Sequence, residues 1–186
     1  MPVASKRSRR PDPGIQDILS AEAGQLKVGT ARAMVMTETA FNVLQQVISE
    51  QTPEFLVYGF YEMGYRVGLD IAASSALEAD APEDAFRVCV DTYRKSGYGE
   101  VEVVEFDIRE PSARLRGTNL LEAAAARGGS MVRSPRAICH YSRGMFAGLF
   151  SRILGKEVVC EELACEYRND PCCEFTVLAF GGQPTG

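Results

Sequence analysis

The stretch Glu157-Val-Val-Cys-Glu-Glu-Leu-Ala-Cys165, Glu166-Tyr-Arg-Asn-Asp-Pro-Cys172, Cys173-Glu-Phe-Thr-Val-Leu-Ala-Phe180 reads as two strands joined by a turn. Asn169-Asp-Pro is turn chemistry, and the flanking runs are rich in residues that suit a pleated, half-buried surface. A turn centred on Asn169 sets Cys165 opposite Cys173, with both thiols on one face. Alternation sends Cys172 to the other face. Glu162 and Cys165 differ in strand parity, so the two can meet only if the strand bulges or ends near Leu163.

Working upstream, Cys139 stands at the start of a helix expected over Ala137 to Leu154 and ended by Gly155. Thiolate and carboxylate oxygen are ordinary Zn²⁺ ligands, so Cys139, Glu162, Cys165 and Cys173 have the types and spacing of a closed four-coordinate site. Four protein ligands leave no position for water or substrate. Such an ion is structural, a staple between helix and hairpin, and not a hydrolytic centre. The competing reading is that the cysteines are small core hydrophobes. His140, the only histidine, points about 100° away from Cys139 on the helix and is read as a supporting or surface residue, not a ligand.

The rest of the chain alternates helices with meander strands. Thr37 is a candidate N-cap for a helix through Gln51 with Phe41, Leu44, Val47 and Ile48 on one face, preceded by a β-like stretch from Gln25 to Met36. Phe55 to Ala73 is apolar nearly all round, the pattern of a central helix buried on most faces. Pro82 to Ser96 forms a third helix with Phe86, Cys89, Val90 and Tyr93 inward. Strands follow over Glu100 to Ile108 and Ala113 to Asn119, and residues 122–134, rich in Ala, Gly and Ser, read as a mobile connection. This order predicts an α+β fold: an antiparallel sheet of four to five strands, covered on one face by helices, with the zinc site at the C-terminal hairpin. Gly64 and Gly68, like Gly144 and Gly148, share a helix face; each costs about 0.5–1 kcal/mol relative to alanine. That spacing suits tight core packing, a dimer contact or a pocket wall.

Composition bounds the function. The chain has 186 residues, 46% hydrophobic, 24% charged, with a formal net charge of −5. One domain over 14–180 is expected, flanked by a disordered basic tail (1–13) and a frayed tail (181–186). The acidic balance argues against a nucleic-acid partner. No apolar run is long enough for a signal peptide core or a membrane span, and six cysteines without a secretion signal suggest a reducing, cytoplasmic setting.

The sequence resembles the 4-vinyl reductase domain family. The likeness is carried by Cys139-His-Tyr-Ser-Arg-Gly-Met-Phe-Ala-Gly-Leu-Phe-Ser-Arg-Ile-Leu-Gly-Lys-Glu-Val, by Glu162-Leu-Ala-Cys165 and by Asn169-Asp-Pro-Cys-Cys173-Glu-Phe-Thr-Val177, with a further likeness at Gly97-Tyr-Gly-Glu-Val-Glu-Val-Val. It implies zinc at Cys139, Glu162, Cys165 and Cys173 supporting an effector pocket, and a fold similar to the small subunits of the TRAPP vesicle-tethering complex, with a tendency to form homodimers. The chain departs from the phenol-sensing members in having no tryptophan, so a pocket built on that residue is not carried over. Three functions are expected. The first is a zinc-stabilised sensor or carrier for a hydrophobic or aromatic small molecule, with Tyr58, Tyr61, Tyr65, Met145, Phe146 and Phe150 as candidate lining and a separate signalling or effector protein as partner. The second is a dimeric interaction or tethering module. The third is an accessory or carrier in tetrapyrrole vinyl reduction, since no dinucleotide or flavin motif supplies a hydride for catalysis.

Overall fold

The computed structural model describes residues 19–28, 31–75, 81–128 and 138–180. Internal contacts divide the chain into two units, Met1–Val35 and Met36–Gly186, where composition suggests one domain from residue 14. In the first unit β1 (Leu19–Glu22), β2 (Gln25–Val28) and β3 (Ala31–Ala33) form an antiparallel sheet in that order. β1 reverses into β2 through Ala23 and Gly24 at φ 50° and 74°, the two-residue turn whose twist matches paired strands. The β-like stretch from Gln25 covers β2 and β3. Sequence reading misses β1, whose Leu-Ser-Ala-Glu carries no β-branched residue. The expected tails at 1–13 and 181–186 lie outside the described residues.

The second unit opens with α1 (Glu38–Gln51), α2 (Pro53–Ser75) and α3 (Pro82–Lys95). The Thr37 hydroxyl caps α1 by accepting from the Ala40 amide at 3.2 Å. Pro53 and Pro82 each occupy a first turn, where the missing N–H has no partner to lose. There follow β4 (Glu100–Asp107), β5 (Ser112–Thr118), α4 (Leu121–Gly128), α5 (His140–Leu154), β6 (Val158–Ala164), a 3₁₀ turn over Glu166–Arg168 and β7 (Cys173–Ala179). The four strands make an antiparallel sheet in the order β4-β5-β7-β6, so the α+β architecture with a four-stranded sheet is the one expected. Alternation along β5 shows why one face takes the helices: Ala113, Leu115 and Gly117 are buried, while Arg114, Arg116 and Thr118 are exposed. Inside, Phe86 meets Phe106 and Phe150, and Phe146 meets Phe175, at ring centroid distances of 5.2 Å. Each such pair adds about 0.5–1.5 kcal/mol beyond its buried area.

The two glycine faces turn out to be one feature. Gly64 and Gly68 of α2 lie against Gly144 and Gly148 of α5, and a Cβ on any of the four would overlap a backbone carbonyl oxygen of the opposing helix: Tyr141, Met145, Tyr61 or Tyr65. The spacing therefore serves backbone-to-backbone packing within the chain.

Three expectations need correction. Leu44 and Val47 are 39% and 50% exposed; the inward face of α1 is Phe41 and Gln45, with Ile48 half-buried, because i, i+4 and i+7 line the stripe and Leu44 and Val47 fall on its flank. α2 is buried along the single row Leu56, Phe60, Gly64, Gly68 and Ala72, and turns Phe55, Tyr58 and Met63 to solvent, so its apolar surround is not burial on most faces. Residues 121–128 form a helix where a connection was expected, because an alanine run has the highest helix propensity and Ala123, Ala125 and Ala126 are buried. The remainder of that expected connection, 129–134, lies outside the described residues.

Gly144→Ala should lower stability by at least about 1–3 kcal/mol, the usual order for overpacking, since neither backbone can rotate away as a side chain would. Thermal unfolding of this variant checks it. Gly24→Ala, with open space at its Cβ, should cost only the strain of its positive φ.

Candidate metal centre

The hairpin of β6 and β7 runs in regular register from Val158↔Ala179 to Glu162↔Phe175, then shifts by one residue to Ala164↔Glu174. The bulge falls at Leu163, whose side chain is 55% exposed. It reverses the parity of the residues after it and brings Cys165 to the side of Glu162. Beyond the strand, the Cys165 carbonyl accepts from the Arg168 and Asp170 amides at 2.8 and 3.3 Å, and Asn169 closes the turn at φ 71°. Asp170 Oδ2 accepts from the Cys165 amide at 2.7 Å, and Cys173 Sγ accepts from the Glu166 amide at 3.4 Å. The turn thus fixes the positions of both cysteines with its own polar groups.

Cys139 precedes the first turn of α5 and completes a group in which one ligand atom each from Cys139, Glu162, Cys165 and Cys173 lies within 4.8 Å of all the others. The sulfurs form a nearly equilateral triangle, 4.0 Å for Cys139–Cys165 and 3.9 Å for both Cys139–Cys173 and Cys165–Cys173. Thiolates about 2.3 Å from a tetrahedral zinc would be roughly 3.8 Å apart. Glu162 Oε2 accepts from the Cys139 amide at 3.0 Å, whereas its Oε1 is buried with no hydrogen-bond partner. A buried carboxylate oxygen without a donor is expensive, and a cation is the partner this donor set suits. The cluster can hold a metal ion. Cys160 and Cys172 are buried but outside the group, Cys172 Sγ lying 3.9 Å from Glu174 Oε1.

Electrostatics explain why these groups need a cation. S–H donation to the Cys165 and Cys173 sulfurs, then burial, holds the Cys139 thiol well above its ordinary range, while accepting those bonds pushes Cys165 down. Burial, then the charge on Cys165, raises the Glu162 carboxyl to about 8. Ligation requires the deprotonated forms, so a metal binds here by displacing protons. His140 is buried, its Nδ1 3.4 Å from Arg143 Nη1; burial and then that cation lower it to about 4, so it is neutral.

Sequence reading missed Glu122. Fully buried on α4, its carboxylate accepts from the Tyr141 amide at 2.8 Å, the Ser142 amide at 2.9 Å and the Ser142 hydroxyl at 2.6 Å. It caps α5, whose own N-cap Cys139 makes no side-chain cap bond because its thiol faces the cluster. Ser142 Oγ lies 2.9 Å from the Tyr93 hydroxyl, extending the chain into α3. Burial raises the Glu122 carboxyl to about 7. The only signal in the sequence was one acid ahead of an alanine run.

The six candidate lining residues divide. Met145, Phe146 and Phe150 are wholly buried, with Phe146 packed on Tyr93 and Phe175 and Phe150 on Phe86 and Phe106. Tyr58 is 74% exposed. Tyr61 and Tyr65 are half-buried; the Arg143 guanidinium lies 5.5 Å from the Tyr61 ring centre. Tyr65 borders an open cleft of about 310 Å³ with Leu69, Ser151, Arg152, Gly155, Lys156 and Glu157.

Residues 128–179 match the family model of the 4-vinyl reductase domain, and the resemblance read from the sequence is borne out there. No curated protein matches the chain in sequence. Among solved structures, the chain is similar to the phenol-responsive sensory domain of the transcription activator PoxR, crystallised with phenol, at TM-score 0.81 and 16% identity over 91% of this chain and 88% of that one. A vinyl-4-reductase family protein from Methanocaldococcus jannaschii overlaps at TM-score 0.54 and 18% identity, over 79% and 83% of the two chains. A trafficking protein particle complex subunit 3 from Naegleria fowleri, covalently bound to palmitic acid, overlaps at TM-score 0.49 and 13% identity, over 76% and 94%. The first two likenesses establish the fold.

Two outcomes test the centre and its support. Chelation or Cys165→Ser should each lower the melting temperature by about 10 °C, the scale of losing several kcal/mol in a domain of this size; an unchanged curve would show that no metal contributes. Because the folded Glu122 pKa of about 7 exceeds the ordinary glutamate value of 4.5, its contribution is fully present below about 4.5 and lost as pH rises through about 7. Gln lacks that titration, so Glu122→Gln should gain on the wild type between about pH 5 and pH 8 in parallel melting curves.

Proposed function

We propose that this chain is a zinc-stabilised module that binds a hydrophobic or aromatic small molecule and passes its state to a separate partner. The observation that carries the reading is its fold, shared across nearly the whole chain with a sensory domain that responds to phenol. Fold alone does not imply function, and the residues here add to it. Three thiols and one carboxylate fill a tetrahedral zinc, which makes the ion a clamp between α5 and the terminal hairpin. The buried, neutral His140 is not poised for acid–base chemistry. A ligand changes the output only through different affinities for two conformations of the module.

A specific observation favours a second reading, a homodimeric interaction module. α1 exposes Val43, Leu44 and Val47, and α2 exposes Phe55, Tyr58 and Met63, at 39–74%. A large apolar surface of this kind suits a protein partner.

Native mass spectrometry of protein purified without chelator should find one zinc per chain, and a panel of aromatic and aliphatic compounds should raise the melting temperature for at least one member. Absence of zinc removes the clamp from the proposal. A dimer that no compound stabilises favours the second reading.

A further inference from the structure

Two interior carbonyl oxygens on α1 have no donor among the described residues. Asn42 Oδ1 and Gln45 Oε1 are buried, three residues apart on one helix face, and neither accepts a hydrogen bond. Gln45 is 2% exposed and sits between Phe41 and Ile48, in a stripe that is otherwise apolar. α1 packs on α2 and α4. The buried side chains of those helices are Leu56, Phe60 and Ala72 from α2, and Ala123, Ala125 and Ala126 from α4, none of which carries a donor. Glu122, the other buried residue of α4, is an acceptor already engaged with α5. Backbone amides within the helices are committed to their own ladders. An unpaired buried carbonyl destabilises the fold, and an apolar residue of the same shape would avoid that loss. Gln at position 45, with Asn one turn away, is therefore a liability to the ligand-free chain.

We infer that Asn42 and Gln45 form the polar end of a ligand site, their carbonyl oxygens accepting from a hydroxyl or N–H group of a small, otherwise apolar and uncharged molecule. The inference rests on the ligand-binding reading above and narrows its ligand class. Two carbonyl dipoles favour a donor and disfavour a carboxylate or phosphate. The surrounding Phe41 and Phe60 rings, 5.8 Å apart and edge-on, suit an aromatic or alicyclic body. Binding recovers the missing hydrogen bonds, so the site discriminates a donor-bearing ligand from its donor-free analogue.

The test compares phenol with toluene, nearly the same shape without the donor, by calorimetric titration of the full chain purified without chelator. Wild type should bind phenol at least about tenfold more tightly than toluene, and Gln45→Met should bring the two within about threefold. Without ligand, Gln45→Met should also melt about 2–4 °C higher than wild type, because it removes the unpaired carbonyl. Equal binding of the two probes by wild type, an unchanged preference in the variant, or a lower melting temperature would overturn the assignment and leave ligand binding standing. Binding of neither probe overturns both. Asn42→Leu supplies the same comparison if Gln45→Met does not fold.

Discussion

The contact between α2 and α5, made backbone to backbone at Gly64, Gly68, Gly144 and Gly148, is the constraint on which the rest of this structure depends. Side-chain packing can adjust by changing rotamers, whereas two backbones in contact have one separation and a narrow range of crossings. With α5 held there, its N-terminus is delivered to the hairpin and its next turns to the aromatic core. Met145, Phe146 and Phe150 are wholly buried between the glycine contact and the sheet. The same helix thus carries Cys139 to the cluster at one end and organises the interior along its length.

The beginning of α5 concentrates the electrostatic cost of the fold. Helix N-termini favour negative charge, and here two carboxylates take that position: Glu162 on the Cys139 amide and Glu122 on the Tyr141 and Ser142 amides. Burial raises both carboxyls, to about 8 and about 7, so the helix end stabilises their ionised forms only in part. A dication among three sulfurs and Glu162 Oε1 would supply the charge that the helix dipole lacks. The cluster and the cap are therefore one electrostatic arrangement spanning α4, α5 and the hairpin.

Legibility followed the range of the interaction that decides each feature. The parity mismatch between Glu162 and Cys165 is a property of period two, and it required the irregularity that appears at Leu163. The start of α1 at Thr37 and the end of α5 at Gly155 follow from local capping chemistry. Burial around a helix is different, because it depends on which neighbours arrive. Leu44, Val47, Tyr58 and Phe55 are as apolar as the residues that were buried in their place, and nothing local separates them. Glu122 was hidden for the same reason: its partners lie about 20 residues away, on the first turn of another helix.

By itself the amino-acid sequence determined the order of the main sheet's strands and their neighbouring helices along the chain, the turn at Asn169, the residue types of the cluster and the need for a bulge, since these rest on periodicity, φ preference and ligand chemistry. Tertiary structure alone decided that the two glycine pairs meet each other, that Glu122 caps α5, that the predicted aromatic lining of α5 is filled core, and that Asn42 and Gln45 hold buried carbonyls without donors. Each of these is a relation between segments distant in the chain. Local propensity carries no information about such a relation until packing brings the two surfaces together.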